Sequence, residues 1–230
     1  MFVYLKGLSL SNKIFASILS ADFANLGEDI ANVIQAGASG IHFDVMDNHF
    51  VPNLTIGPDV CRSLRNYGID CFIDVHLMVS PLNNLVPMFA QAGADAITFH
   101  IEAVDDPVRT INQIKDLGCK VGVAISPKSD SRSILSLIDS LDSVLIMSVE
   151  PGFGGQAFLP SAYEKIRFLK DYISSHNLPC VISVDGGVNL DNIGSLVDIG
   201  TNNFVIGSAL FKENNYSKTL KSFWLEINTN

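Results

Sequence analysis

The sequence predicts an α/β protein built as one (β/α)8 barrel of the TIM type, and three observations predict it. Eight short runs of strand character alternate with helical patterns along the chain. A repeat is visible: "QAGASGIHFD" at 35–44 lines up with "QAGADAITFH" at 91–100, and weaker copies are "DLGCKVGVAI" at 116–125 and "DIGTNNFVIG" at 198–207. Each copy is a helix end, a glycine where a left-handed residue closes the helix, and then a strand. The length, 230 residues, is one that such a barrel fills as a single domain. The runner-up is a doubly wound open sheet, which rarely needs eight evenly spaced units.

The elements follow in order. The opening "MFVYLKGLSLSNK" breaks at Lys6 and lacks a signal-peptide pattern, so residues 1–12 are expected to be an N-terminal extension and 13–230 the barrel. The first strand is Phe15–Leu19 and the first helix Phe23–Gln35. Strand Ile41–Met46 is rich in β-branched and aromatic residues, and helix Asp59–Asn66 follows it. Next come strand Cys71–Met78, helix Pro81–Gln91, strand Ala96–His100 and helix Pro107–Leu117. Strand Val121–Ile125 is followed by a helical pattern at Ser131–Ile138, and strand Val144–Val149 by helix Ser161–Ser175. Strand Cys180–Val184, helix Leu190–Asp198 and strand Asn203–Ile206 complete the count, and a last helix at Tyr216–Ile227 closes the chain.

Composition narrows the function. Hydrophobic residues make up 47% of the chain, ample for a large core, so disorder is not expected. A net charge of −9 argues against a nucleic-acid or anionic-membrane partner, either of which would want a basic face. An anionic small substrate is still allowed, because backbone N–H groups bind phosphate without net positive charge. Cys61, Cys71, Cys119 and Cys180 are far apart with no C-x-x-C spacing, which reads as reduced core thiols in a cytoplasmic protein. No apolar run reaches the length of a membrane span.

In a barrel of this kind the chemistry sits at the C-terminal ends of the strands. Side chains alternate faces along a strand, so His42, Asp44 and Met46 share one face of strand 2 and Ile41, Phe43 and Val45 the other. Strand 3 likewise puts Asp74, His76 and Met78 on one face. Strand 7 leads into Asp185, strand 1 supplies Ser17, and strand 4 ends on His100, which the repeat sets level with Asp44. Buried carboxylates must be paired or bound to metal. No lysine or arginine stands at a strand end to pair them, and Lys120 lies at a strand start. Two arrangements satisfy the group. One is a divalent cation held by His42, Asp44, His76 and Asp185, a mixed nitrogen and oxygen set that suits zinc, manganese, iron(II) or cobalt better than magnesium or calcium. The other is a hydrogen-bonded polar network without metal. Asp74, one layer deeper, either orients a ligand histidine or bonds to backbone or buried water. Met46, Met78 and Met147 fall near the ends of strands 2, 3 and 6; each alone reads as core filler, and together they read as an apolar wall over the site.

Glycine-rich turns follow three consecutive strands: "EPGFGGQAF" at 150–158, "DGG" at 185–187 and "IGSALF" at 206–211, which opens a short helix. Glycine lets backbone N–H groups approach phosphate oxygens closely, and barrels of this type bind phosphate with the loops after strands 7 and 8. Gly152 to Gly155 also have the freedom of a closing lid. The plainer reading of each turn is a tight connection.

These motifs carry a resemblance. With "ASILSADFANLGE", "HFDVMDNHFVPNLTIGP", "DVHLMV", "TFHIEA", "VLIMSVEPGFGGQAF", "SVDGGVN" and "VIGSALF", in that order, the chain resembles the ribulose-phosphate 3-epimerase family over nearly its whole length after about residue 13. The resemblance implies a metal-dependent epimerase that interconverts D-ribulose 5-phosphate and D-xylulose 5-phosphate in the pentose phosphate pathway, with one divalent metal ion per subunit. It implies His42, Asp44, His76 and Asp185 as metal ligands, with Asp44 as proton acceptor and Asp185 as donor. It further implies substrate contacts from Ser17, His76, Gly152, Phe153, Gly154, Gly155, Gly186, Gly187, Gly207 and Ser208, and a homo-oligomer, dimeric or hexameric. On that reading, strand 2 buries His42 and Asp44 to deliver a metal ligand and a base. Two carboxylates remove and return the C3 proton through a metal-stabilised enediolate.

One departure stands in "VMDNHF": the family usually has glycine where this chain has Asn48. Asparagine is the best-tolerated substitute where φ is positive, so the loop is expected to keep its shape. Three rival functions remain. A 3-epimerase of another ketose phosphate, such as allulose 6-phosphate, would use similar residues. A decarboxylase or aldolase usually places a lysine among the strand-end carboxylates, and none stands there. A non-catalytic sugar-phosphate binding protein would be marked by loss of a ligand or an aspartate.

Overall fold

The computed structural model describes residues 11–82 and 84–229. Eight parallel strands, β1 (Lys13–Ser17), β2 (Gly40–Met46), β3 (Phe72–Met78), β4 (Ala96–His100), β5 (Lys120–Ile125), β6 (Ser143–Met147), β7 (Val181–Asp185) and β8 (Asn203–Ile206), close into a barrel in chain order. β1 pairs with both β2 and β8, which closes the ring. The helices are α1 (Leu26–Gln35), α2 (Pro58–Tyr67), α3 (Leu85–Ala92), α4 (Pro107–Asp116), α5 (Ser161–Ser175), α6 (Ile193–Asp198), α7 (Ser208–Phe211) and α8 (Tyr216–Thr229). The expected extension at residues 1–12 falls almost wholly outside the described residues, and the barrel begins at Lys13.

Local chemistry sets the helix ends. α2 and α4 each start on a proline, whose missing N–H costs nothing at that position. The Asp106 carboxylate accepts from the Arg109 N–H at 3.0 Å and caps α4. α2 and α3 end on Gly68 and Gly93, both at φ 100°, and at Gly93 this is the left-handed closure that the repeat predicts.

The alternation in β2 and β3 sorts two environments. Ile41, Phe43, Val45, Val75 and Leu77 face outward and join the helices in one continuous core. Phe43 meets Phe89 of α3 edge to face, with ring centroids 5.8 Å apart. Burying each such side chain contributes about 1.5–3 kcal/mol. The opposite face of the same strands points into the barrel, where His42, Asp44 and His76 are buried.

Several elements differ from expectation: α3 starts at Leu85 rather than Pro81, β6 ends at Met147 rather than Val149, and α6 starts at Ile193 rather than Leu190. The helical pattern at Ser131–Ile138 folds as two 3-10 turns, Ser131–Ile134 and Ile138–Ser140. The apolar spacing is helical, but the Asp130 carboxylate accepts from the Arg132 N–H and the Ser133 hydroxyl donates to the Asp130 carbonyl. Such side-chain bonds compete with helical ones, and the segment settles into bonds from each N–H to the carbonyl three residues back. The first strand runs two residues short of Leu19, because Ile18–Ser20 turns as a 3-10 segment closed by the Ala21 N–H on the Ile18 carbonyl.

Candidate active site

Strand pairing sets His42 beside Asp74 and Asp44 beside His76. Two imidazoles and two carboxylates then converge from β2, β3 and β7. His42 Nε2 lies 3.2 Å from His76 Nδ1, and His76 Nδ1 lies 3.1 Å from Asp44 Oδ1. Asp185 Oδ2 stands 3.9 Å from His42 Nε2 and 4.0 Å from His76 Nδ1. One donor atom from each of the four residues falls within 4.8 Å of the others. The far side of each ring is already occupied. His42 Nδ1 bonds Asp74 Oδ2 at 3.0 Å, and Asp74 in turn accepts from the Thr98 hydroxyl at 3.1 Å. His76 Nε2 meets His100 Nε2 at 3.0 Å. The remaining nitrogen of each histidine therefore has only the shared centre to face, and two nitrogens and two carboxylate oxygens there fit a divalent transition-metal cation.

The electrostatics separate the two carboxylates. Burial pushes Asp44 upward, but the His42 charge and hydrogen bonds from His76 and from the Ser17 hydroxyl, at 2.7 Å, hold it below the usual carboxylate range. Burial and the neighbouring Asp44 charge raise Asp185 to about 7. The rings are pushed apart as well. Burial disfavours a charged His42, yet the Asp44 charge and the Asp74 hydrogen bond raise it to about 10. Burial outweighs the Asp44 bond at His76 and lowers it to about 4. The two carboxylates are thus shifted in opposite directions, Asp44 toward the ionised form and Asp185 away from it.

Above this layer opens a cavity with an empty volume of about 560 Å³, open solvent included. Ser17, Asp44, Asp185, Met46, Met78 and Met147 line it, together with Gly152, Phe153, Gly154, Gly155, Gly186, Gly187, Gly207 and Ser208. His42 and His76 lie beneath, fully buried. The three methionines do not form one layer. Met46 and Met78 pack with Val51, whereas Met147 packs with Phe15, Leu145 and Val205 inside the barrel. The cavity mouth is tied by side chains. The Asn53 amide donates to the Gly152 carbonyl at 2.7 Å, and the Gln156 amide donates to the Glu150 and Phe153 carbonyls. Phe153 stays 54% exposed, so its ring is not buried against the site. Asn48 takes φ 61°, the left-handed conformation expected of it, and the loop after β2 is pinned by Asp47, which accepts from the N–H groups of His49, Phe50 and Ser80.

The sequence reading missed several residues of this neighbourhood. Thr98 and Glu102 went unremarked, although Thr98 shares a strand face with His100. The repeat put His100 level with Asp44, but the pairing registers run Asp44 to His76 to Thr98, because the strands of a closed barrel are staggered. Ser148 is fully buried and donates to the Asp185 and Gly186 carbonyls, at 2.9 and 2.6 Å, anchoring the end of β7. A lone serine after a strand gave no signal of this. Lys165 of α5 donates to the carbonyls of Ser126, Pro127 and Ser129 and does not line the cavity. A lysine of the kind a lyase needs is absent from the cavity lining among the described residues.

Comparison with known proteins agrees with this geometry. In fold the chain is similar to 3-keto-L-gulonate-6-phosphate decarboxylase from Vibrio cholerae O1 biovar El Tor, with a TM-score of 0.72 at 16% identity over 95% of this chain and 98% of that one. It is similar also to the Streptococcus mutans KGPDC structure, with a TM-score of 0.70 at 15% identity over 96% and 98%. In sequence it is 53% identical over 212 residues to ribulose-phosphate 3-epimerase of Buchnera aphidicola subsp. Acyrthosiphon pisum, which spans 91% of this chain and 93% of that one. It is 50% identical over 211 residues to the Escherichia coli K12 ribulose-phosphate 3-epimerase, which spans 92% and 94%. The model of the ribulose-phosphate 3 epimerase family matches residues 13–211. A match that runs from the start of β1 through α7 takes in every strand and every strand-end loop, so the chain belongs to the ribulose-phosphate 3-epimerase family and is an epimerase.

Proposed function

We propose that the chain interconverts D-ribulose 5-phosphate and D-xylulose 5-phosphate by two-base proton transfer at C3. The observation that carries the reading is that Asp44 and Asp185, from β2 and β7, line one cavity whose rim also holds Gly186, Gly187, Gly207 and Ser208. Those four residues and the Gly152–Gly155 loop offer backbone N–H groups to the phosphate, which anchors the sugar with C3 between the aspartates. The ionised Asp44 takes the C3 proton from one face, leaving an enediolate, and the protonated Asp185 returns a proton from the other face, which inverts the centre. Asp44 is then protonated and Asp185 ionised, and exchange with water at the cavity mouth resets the pair. The reverse reaction uses the aspartates in opposite roles. Ser17, through its bond to Asp44 Oδ2, aims that carboxylate. Met46, Met78 and Met147 give the cavity an apolar side that excludes water and offers no competing donor.

His42, Asp44, His76 and Asp185 would hold one divalent ion, zinc, iron(II), manganese or cobalt. Such a cation supplies Lewis-acid stabilisation of the negative charge that develops on the sugar oxygens. The reading extends to one catalytic domain from residue 13 onward, preceded by an extension, and to a cytoplasmic homo-oligomer, dimeric or hexameric. Four unpaired cysteines support a reducing compartment, and no helix among the described residues is long and apolar enough to cross a membrane.

The test is turnover of ribulose 5-phosphate before and after chelation. The expected result is activity that falls at least about tenfold on chelation and returns with a divalent metal. Unchanged activity in metal-free protein would remove the metal from the reading. A higher kcat/KM on allulose 6-phosphate would reassign the substrate, and tight sugar-phosphate binding without turnover would mark a binding protein. Light scattering on a sizing column reads the subunit count.

A further inference from the structure

The loop after β6 borders the cavity along residues 150–156. Within itself this loop is closed. The Gln156 amide donates to the Glu150 carbonyl at 2.7 Å and to the Phe153 carbonyl at 2.8 Å, which holds the tip together as one piece. Among the described residues, one side-chain hydrogen bond reaches residues 151–155 from a different loop. It comes from Asn53, in the loop after β2, whose amide nitrogen donates to the Gly152 carbonyl at 2.7 Å.

Asn53 is aimed by its own surroundings. Its Oδ1 accepts from the Leu54 N–H at 2.9 Å, which turns Nδ2 toward Gly152. The Asn53 N–H donates to the Val51 carbonyl and the Asn53 carbonyl accepts from the Asn48 N–H, both at 2.8 Å, across the turn in which Asn48 takes its positive φ. Thr55 fastens the return of the loop to β2: its hydroxyl donates to the Asp44 carbonyl at 2.7 Å and accepts from the Met46 N–H at 3.0 Å. Val51 is buried against Met46 and Met78. The loop after β2 is therefore a firm shelf beside the cavity, although neither Val51 nor Asn53 lines it. Gly152 rests on that shelf where a side chain would be strained. Its φ is 124°, and a β-carbon there would stand 3.3 Å from Val51 Cβ.

We propose that Asn53 is a positioning residue, a latch that holds the loop after β6 against the loop after β2 so that the backbone N–H groups of Gly154 and Gly155 stay over the substrate's phosphate. The inference rests on the phosphate reading of the site. Without the latch the loop opens more often and the bound sugar phosphate escapes sooner, while the aspartates that carry the proton are untouched.

Two substitutions separate a latch from a part of the shelf. Asn53→Ala removes both the bond to Gly152 and the bond from Leu54. Asn53→Asp keeps an oxygen for the Leu54 N–H but sets a carboxylate oxygen, which cannot donate, against the Gly152 carbonyl. Both variants should raise KM for ribulose 5-phosphate roughly 3–10-fold, the scale of one hydrogen bond, with kcat within about twofold of wild type. Deuterium exchange into peptides covering 150–158 of the substrate-free protein reads loop opening without turnover, and it should quicken in both variants. Peptides covering 47–55 should quicken in Asn53→Ala alone. Where the alanine variant does not fold by circular dichroism, Asn53→Asp decides. An Asn53→Asp with wild-type KM and wild-type exchange overturns the proposal. So does faster exchange with unchanged KM, a fall in kcat at unchanged KM, or an Asn53→Asp that quickens 47–55 as much as 150–158. Ribulose 5-phosphate that leaves exchange in 150–158 of the wild type unslowed overturns the phosphate reading instead, and exchange in the substrate-free variants still judges the latch by itself.

Discussion

Asp44 and Asp185 are the same side chain in two surroundings, and their difference is the most informative feature at the scale of single residues. Asp44 accepts from Ser17 and lies against two histidines, whereas Asp185 stands at the strand end next to an existing charge. Each is assigned one face of the substrate, so replacing either with asparagine keeps an oxygen near the centre but removes the proton carrier. Both variants should lose epimerisation by roughly 10²-fold or more. Exchange in D2O separates them further: Asp185→Asn should still exchange the C3 proton of one epimer and Asp44→Asn that of the other. Epimerisation near the wild-type rate in either variant would sink the two-carboxylate mechanism. Asn48 shows how far a single residue can be read from sequence. The glycine that the resembled family usually has at its place in "VMDNHF" implied positive φ, and Asn48 has φ 61°. The need was legible because only a few residue types tolerate that conformation.

At the scale of elements, the strand-end loops are where backbone geometry leaves least freedom. Gly187 has φ 65°, and a β-carbon placed there would stand 2.5 Å from the Phe158 amide nitrogen and 2.8 Å from the Phe158 Cα. The obstacle is backbone of the loop after β6, which must shift as a body. Gly187→Ala should therefore raise KM for the sugar phosphate about tenfold or more, equivalent to about 1.4 kcal/mol, with divalent-metal content unchanged. An unaltered KM would place the phosphate elsewhere. The eight strands were readable as short β-branched and aromatic runs, several of them set after a glycine-closed helix end, since parallel strands buried on both faces are apolar throughout. The segment after β5 was misread for a physical reason. Its apolar residues recur at helical spacing, and Ile134, Leu137, Ile138 and Leu141 are all buried, but serine and aspartate side chains supply bonds that a helix would otherwise own.

For the whole molecule, the reduced-thiol reading has a direct consequence. All four cysteines are unpaired, and burial raises Cys61 and Cys71 to about 11 and Cys180 to about 12, with Cys119 pushed the same way. Raised values keep the thiols protonated at pH 8, and a protonated, buried thiol is a poor nucleophile. A disulfide reagent at that pH should label native protein far more slowly than free cysteine, and all four thiols should react at once in denaturant; rapid labelling of a native thiol would contradict the packing. The sequence by itself determined the barrel, its order of elements, the four residues that converge at its mouth and the three glycine turns beside them. These are properties of periodicity and spacing, which survive without coordinates. Only the tertiary structure decided which atoms meet. It set the register that pairs His76 with Thr98 while the His76 ring meets His100, the side-chain ties across the cavity mouth, the split of the methionines between two clusters, and the opposed shifts of Asp44 and Asp185. Each of these depends on the stagger of a closed barrel and on distances of a few ångströms between strands remote in sequence, and neither is written in the local pattern of any one segment.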